Sequence, residues 1–226
     1  MIIAQITMAA QDSAAVAPEG SSIQLIDLIF KGGIMMIPIF LLSLLGVYVL
    51  VERLRTLKQA TASPDAFMAQ IKELVVKGDI SAAKVVCGQS DTPMSRMIEK
   101  GLKKIGSSLK NIEASIENVG RIEIYRLEKN LSLLATIAGA APMLGFLGTV
   151  IGMINAFMSI AQEEGAVSPK MLSAGIYQAM ITTAAGLVVG VLAYLAYNYL
   201  VTRMQKIIHS MEYSSIEFIE LLQEPK

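Results

Sequence analysis

The stretch APMLGFLGTVIGMINAF, residues 141–157, lies within a run that has no charged side chain from residue 130 to residue 162. It is apolar enough to cross a membrane, yet it contains Pro142, several glycines, Thr149 and Asn155. A helix whose only role was to span lipid could consist of leucine alone. The composition therefore predicts a membrane helix that also packs closely on other helices or lines a pathway.

The composition of the 226-residue chain is that of a membrane protein with aqueous parts. Hydrophobic residues make up 54%, mean hydropathy is +0.55, and charged residues are absent from windows 32–51, 130–162 and 171–202. About 20 residues cross a hydrocarbon core of about 30 Å. The sequence therefore predicts an all-α membrane protein with three transmembrane helices. The last two windows reach about 50 Å, so these helices should protrude beyond the bilayer, tilt, or pack in an assembly that shields their ends. The fold that we predict has long helices that extend into a cytoplasmic helical domain.

The distribution of Lys and Arg predicts the orientation of these spans. Fourteen of them lie in residues 52–129, whereas Lys31 is the only one before the first span. Because cytoplasmic segments are enriched in Lys and Arg, the N-terminus should be outside and the C-terminus cytoplasmic. The predicted segments are an outside tail 1–22, an interfacial helix 23–31, spans 32–57, 130–162 and 171–202, a cytoplasmic domain 58–129, an outside loop 163–170 and a cytoplasmic C-terminal helix 203–226.

The N-terminal tail lacks the basic region and the unbroken apolar stretch of a signal peptide. We interpret it as a short tail outside; the alternative is the remnant of a cleaved leader.

Several local signals predict helices in the cytoplasmic segment. Ser63, Asp79 and Thr92 occupy N-cap positions of three short helices. From residue 108 an apolar stripe at helical spacing continues into the second span without a proline between them. This pattern predicts one helix over about 108–162, with Pro142 as the position of a kink.

The C-terminal segment also has an apolar stripe, which includes Met211 and Phe218. It predicts packing on the cytoplasmic helices of the same or the next subunit.

Composition also argues against several classes of function. The net charge is zero and no basic patch is interleaved with aromatics, so we expect no nucleic-acid partner. Cys87 is the only cysteine and His209 the only histidine, so the sequence offers neither an internal disulfide nor a metal ligand set. We expect Cys87 to be a buried core residue and the protein to be neither an enzyme nor a cofactor carrier. Three spans without inverted repeats also argue against a solute carrier.

Small residues recur at helical spacing in spans two and three. Gly145, Gly148 and Gly152 give the second span a small face, and Gly186 and Gly190 do so in the third. Small residues let helix backbones approach closely in lipid. The pattern predicts that these spans pack on each other or on copies of themselves.

Polar residues in the same spans are candidates for an ion pathway: Thr149, Gln178, Thr182 and Thr183. Each threonine hydroxyl could instead bond a carbonyl one turn back and have no further role. No Asp or Glu lies within the spans. A conducting protein of this sequence would need a partner to supply the titrating carboxylate.

The two membrane motifs, APMLGFLGTVIGMINAF (141–157) and YQAMITTAAGLVVGVLAYLAYN (177–198), resemble the MotA/TolQ/ExbB proton channel family, most closely its ExbB branch. Residues 78–102, GDISAAKVVCGQSDTPMSRMIEKGL, are similar to the family's cytoplasmic loop. The resemblance covers the chain from about residue 23. It implies a homo-pentamer in the bacterial inner membrane, with the N-terminus in the periplasm.

The same resemblance implies the partners and the mechanism. Two ExbD-like single-span subunits would sit in the pentamer's pore and supply the proton-carrying Asp. A TonB-like protein would then use the energy of proton flow to drive outer-membrane transport. Membrane lipid would surround the assembly.

The resemblance assigns Thr149 and Thr183 to the pore lining, and Pro142 with the glycines to the pore wall and helix packing. Two positions depart from the family pattern. Gln178 stands where Glu is common, and an amide cannot carry a proton near pH 7. Leu192 stands where Pro is frequent, so a kink expected there would be missing.

Other readings remain within and beyond the family. A TolQ-like or MotA-like stator would drive envelope maintenance or motility, although a MotA-like one usually has four spans. A non-conducting membrane scaffold would tolerate both Thr149→Val and Thr183→Val without loss of function.

Overall fold

The structure is a computed structural model that describes residues 32–61, 64–162 and 169–223, which form helices joined by short turns and contain no strand. The predicted tail, interfacial helix, Ser63 cap and most of the outside loop lie beyond these residues. The helices are α1 (Met36–Ala60), α2 (Pro64–Val76), α3 (Ile80–Gln89), α4 (Pro93–Lys103), α5 (Leu109–Glu128), α6 (Leu131–Gln162) and α7 (Pro169–Gln223).

Three stretches are long and apolar enough to cross a membrane: Met36–Ala60, Leu109–Ala161, which comprises α5 and most of α6, and Ser173–Gln223. The 55 residues of α7 extend about 83 Å, far more than the roughly 30 Å of a hydrocarbon core. One helix therefore contains both the third span and the C-terminal stripe, with no break near residue 203. The predicted all-α membrane fold is confirmed.

The prediction of one helix over 108–162 is wrong at residues 129–130. There α5 ends and α6 begins, and Asn130 has a left-handed φ of 63°. Asparagine tolerates this conformation better than most residues because its short polar side chain can bond locally. At Pro142, by contrast, α6 continues as a helix.

Side chains of α1 hold the break between α5 and α6. Asn130 Nδ2 donates to Glu52 Oε2 at 2.9 Å, and Arg53 Nη2 donates to Glu52 Oε1 at 2.6 Å. Arg53 Nη1 donates to the carbonyl of Arg126 at 3.2 Å, near the end of α5 where carbonyls lack helical partners. Arg53 is only 4% exposed. The sequence indicated that Arg53 is a charge next to the first span, but its side chain also connects α1 to the end of α5.

Caps and a common core build the helical domain. Asp79 Oδ1 accepts from the Ala82 N–H at 2.9 Å, and Thr92 forms a capping box with Ser95, as the sequence predicted for both caps. The core joins α2–α5 to the ends of α1 and α7. Its fully buried side chains include Ile71, Ile98, Leu102, Ile116 and Phe218. The C-terminal stripe thus packs on the helical domain of its own chain.

A buried carboxylate ties α4 to α5. Glu123 is 3% exposed and accepts from Arg96 Nε at 3.0 Å and Nη2 at 2.7 Å. Arg126 Nη1 adds a third bond at 2.7 Å. The bonds to Glu123 raise the pKa of the Arg96 guanidinium. Such a bidentate pair fixes the relative orientation of the two side chains, and therefore helps to hold α4 against α5.

Cys87 lies in the helical core, and we predict that it is inert in the folded protein. Burial, with a contribution from Glu99, raises the pKa of its thiol to about 12. Only the thiolate reacts with maleimide. Raising the pH from 7 to 9 should therefore leave labelling of the folded protein negligible, whereas the unfolded chain should label faster as its thiol ionises.

The matched control places a thiol on the exposed side of the same helix. Val85 is 59% exposed on α3, so Cys87→Ser with Val85→Cys should label rapidly while folded. Equal labelling rates for Cys87 in the native chain and the Val85→Cys thiol would contradict the prediction.

Candidate functional site

The α6–α7 interface brings backbone against backbone. A Cβ built on Gly186 would lie 2.6 Å from the carbonyl oxygen of Ala141 and 2.9 Å from the Cα of Gly145. A Cβ on Gly145 would in turn lie 2.9 Å from the carbonyl oxygen of Thr182. Ordinary van der Waals contacts of carbon are about 3.5–4.0 Å. Only glycine therefore fits at these positions, as expected for helices packed through small residues.

The same close packing continues toward both ends of the interface. At one end Gly152 lies against Ala179, with a built Cβ 2.9 Å from the Ala179 Cβ. Gly175 lies against Ala156 in the same way, at 2.7 Å. At the other end, a Cβ on Gly190 would meet Pro142 Cγ at 2.4 Å. The glycines predicted to pack spans two and three thus do so within one chain.

The three threonines have different environments. Thr182 is 1% exposed, and its side chain fills the space left by Gly148, whose built Cβ would lie 2.4 Å from Thr182 Oγ1. Its hydroxyl donates to the Ala179 carbonyl at 2.9 Å. This matches the purely structural reading of a membrane threonine, in which the hydroxyl bonds its own helix.

Thr149 and Thr183 are only partly buried. Thr149 donates to the Phe146 carbonyl at 2.6 Å on its own helix. Thr183 instead donates across the interface to the Gly145 carbonyl at 3.0 Å. Gly145 and Phe146 are consecutive residues, so the two hydroxyls bond to consecutive carbonyls of α6.

Both threonines lie on the side of the α6–α7 pair that faces away from α1. Around α6, Thr149 is about 120° from Ile137, the residue that packs near Gly46 of α1. Around α7, Thr183 is about 140° from Gln178, which lies on the α1 side. The pair therefore presents two hydroxyl oxygens on one open face.

Gln178 lies apart from this face. Its side chain packs on the backbone of Gly33, where a built Cβ would be 2.0 Å from Gln178 Nε2. Gly33 also has a left-handed φ of 70°, so both the backbone conformation and the contact with Gln178 require glycine there. The structure brings Thr149 and Thr183 together on the open face, whereas the side chains of Gln178 and Thr182 lie outside it.

The open face around the threonines is otherwise apolar. Exposed side chains there include Phe146, Ile176 and Leu187, and a groove toward the helical domain is lined by Pro142 and Gly190. Within the described residues no group of three or more His, Cys, Asp or Glu side chains could hold a metal ion. The face can accept hydrogen bonds and admit an apolar helix, but none of its described residues is Asp, Glu, His, Lys or Arg.

Sequence reasoning missed two parts of this arrangement. Gly175 and Ala179 form a small pair at helical spacing before Gly186, a signal that the sequence did contain. The bond from Thr183 to Gly145 had no signal, because a one-dimensional pattern does not show which hydroxyl crosses to a neighbouring helix.

Comparison with known proteins assigns the family. Residues 89–213 match the MotA/TolQ/ExbB proton channel family. A biopolymer transport protein ExbB homolog of Methanothermobacter thermautotrophicus is 28% identical over 83% of this chain and 66% of its own length. An ExbB-like biopolymer transport protein of Synechocystis sp. is 30% identical over 79% of this chain and 71% of its own.

A shorter match, 40% identical over 85 residues, is to the Tol-Pal system protein TolQ of Haemophilus influenzae and covers 38% of this chain and 37% of that protein. The family match spans more than half of the chain and includes the α6–α7 seam with both threonines. This protein is a multi-pass membrane protein, and it belongs to the MotA/TolQ/ExbB proton channel family.

Proposed function

We propose that this chain is the channel subunit of an ExbB–ExbD-like motor in the bacterial inner membrane, coupling the proton motive force to TonB-dependent outer-membrane transport. The observation that carries the proposal is the pairing of Thr149 and Thr183 on one open face of the α6–α7 seam. In a homo-pentamer this face would line the pore. The role is not enzymatic and needs no cofactor.

The hydrogen bonds of the two threonines suggest how they act. A hydroxyl has one donor and two acceptor lone pairs. Thr149 and Thr183 both direct their O–H groups to carbonyls. Their oxygens therefore face the pore as acceptors, which favours a protonated carboxyl group or a water over a bare carboxylate.

The titrating group must come from elsewhere, since the spans contain no Asp or Glu. We propose an ExbD-like single-span subunit, in two copies, whose membrane Asp meets these oxygens when it is protonated. Proton binding would neutralise the Asp and let its helix move past the apolar face. The N-terminus would be periplasmic and the C-terminus cytoplasmic, following the excess of Lys and Arg in residues 52–129.

Native mass spectrometry of the protein gently extracted from its own host membrane tests this proposal. We expect five copies of the chain with two copies of a small single-span protein that carries a membrane Asp. A chain that appears alone, or with a partner lacking any membrane carboxylate, would contradict the proton-channel role and favour a scaffold.

A TolQ-like role is the second candidate, because the TolQ match has the highest identity among the relatives above. It would use the same face and the same chemistry with a different partner. The partner's outer domain and its downstream protein, identified in the same preparation, distinguish the two. Recovery of a TonB-like protein favours the transport role, and recovery of an envelope-anchoring protein favours the TolQ-like one.

A further inference from the structure

A series of cavities lies along the interface of α1 with α7, and we refer to the series as the groove. The part farther from the helical domain is apolar, and its lining includes Leu42, Gly46, Val188 and Leu192. Toward the helical domain the lining becomes basic, with Arg203 bordering two adjoining cavities. A groove with an apolar length and a cationic end matches the chemistry of a phospholipid rather than that of a soluble ligand.

Three cations surround the basic end: Lys58 on α1 and Arg203 and Lys206 on α7. All three are exposed. None of them has an acidic side chain within 4.0 Å among the described residues, although seven other ion pairs form there. Unpaired cations held around a cavity attract an anion.

The ring of Tyr199 indicates where the basic end of the groove lies relative to the membrane surface. The guanidinium carbon of Arg203 lies 5.4 Å from the centre of the Tyr199 ring, a cation–π arrangement. Tyrosine is enriched at membrane–water interfaces. The cations therefore sit where lipid headgroups lie, on the side of the helical domain.

The length of the groove also fits one lipid leaflet. Leu42 and Lys58 are 16 residues apart on α1, which corresponds to about 24 Å along the helix. Half of a bilayer, with its headgroup region included, is about 20–23 Å thick. An acyl chain lying in the apolar part would thus bring its headgroup phosphate to the basic end.

We propose that this groove binds an anionic phospholipid of the leaflet on the helical-domain side, with its phosphate on Arg203, Lys206 and Lys58 and one acyl chain between α1 and α7. The bound lipid would fill the seam between α1 and α7 and so stiffen the support of the α6–α7 pair.

The test is lipid binding to the purified complex in detergent, measured by native mass spectrometry with dioleoyl phosphatidylglycerol, dioleoyl phosphatidylcholine or inorganic phosphate. We expect phosphatidylglycerol to bind in preference to phosphatidylcholine. Each Lys or Arg near an anionic lipid surface contributes about fivefold in affinity. Arg203→Gln with Lys206→Gln should therefore weaken phosphatidylglycerol binding about 25-fold.

Arg55→Gln is the matched control, because Arg55 is exposed on α1 about one turn before Lys58 but does not line the groove. Because the complex is in detergent, without an anionic lipid surface, a cation outside the groove should change binding less than about twofold. Equal losses with Arg55→Gln and Arg203→Gln would overturn the proposal in favour of general surface attraction. Unchanged preference for phosphatidylglycerol in the Arg203→Gln, Lys206→Gln variant would overturn it directly.

A second variant separates a lipid from a free phosphate. Ser43 lines the apolar part, and Ser43→Phe should fill that part and reduce phosphatidylglycerol binding while leaving the cations intact. Full competition by inorganic phosphate together with unchanged binding by Ser43→Phe would identify a soluble anion as the ligand and overturn the lipid site. Circular dichroism on each variant confirms that it is folded.

Discussion

The Gly186→Ala variant should lose much of its thermal stability, and Gly186→Leu should fail to give a folded complex at all. The added Cβ would lie 2.6 Å from the Ala141 carbonyl oxygen and 2.9 Å from the Gly145 Cα. Both atoms belong to the α6 backbone, so no side chain can turn aside to make room. Relief requires the two helices to separate, and the loss of close packing along the seam costs about 1–3 kcal/mol or more.

Gly139→Ala is the matched control for this change. Gly139 lies on the same helix pair, but a Cβ built there would meet nothing within 4 Å. Alanine is better than glycine in a helix interior by about 1 kcal/mol, so this variant should melt at the native temperature or slightly above it. The melting temperatures of both variants and of the native chain, measured by circular dichroism, test this prediction. A Gly186→Ala variant as stable as the native chain would show that the backbone contact does not determine how α6 and α7 pack.

Much of this seam could be predicted from sequence because packing in lipid leaves a compositional trace. Without a hydrophobic force between helices, close approach needs small residues at regular spacing, and Gly145, Gly148 and Gly186 supply it. The three spans were predictable for a similar reason, since charge is excluded from 20 or more consecutive residues. Both signals are local in sequence.

The break at Asn130 was not predictable in this way. Its cause is a contact from Asn130 to Glu52, 78 positions away in sequence. The apolar stripe continues through residues 129–130, so periodicity alone predicts an unbroken helix. The left-handed conformation of Asn130 costs little free energy because its side-chain amide donates a hydrogen bond to the Glu52 carboxylate. A local sequence pattern does not include a residue so far away.

The roles of the threonines could be predicted only in part. Residue type marked Thr149, Thr182 and Thr183 alike as polar groups in a span. Their difference depends on rotation about the helix axis, which places Thr182 against Gly148 and Thr183 over the Gly145 carbonyl. Gln178 was grouped with them by sequence, yet the contact with Gly33 puts it on the other flank of α7.

The second prediction with a large effect concerns Thr183→Val. Valine keeps the shape of threonine and removes the hydroxyl, so assembly should persist with a stability loss of about 1 kcal/mol for one hydrogen bond. Energised uptake in the native host should fall by about tenfold or more, because a polar bond worth about 1.4 kcal/mol to the moving carboxyl group would be lost. Substrate accumulation driven by the proton motive force, normalised to assembled complex, measures the effect.

Two controls make this result specific to the pathway. Thr183→Ser retains the hydroxyl and should restore most of the uptake. Thr182→Val removes the neighbouring hydroxyl, which is 1% exposed and bonded to its own helix, so it should change uptake little. If Thr182→Val and Thr183→Val impair uptake equally, the hydroxyls act through helix packing alone. If Thr183→Val supports normal uptake, the face that it shares with Thr149 is not the proton pathway, and the conducting role must lie elsewhere in the assembly.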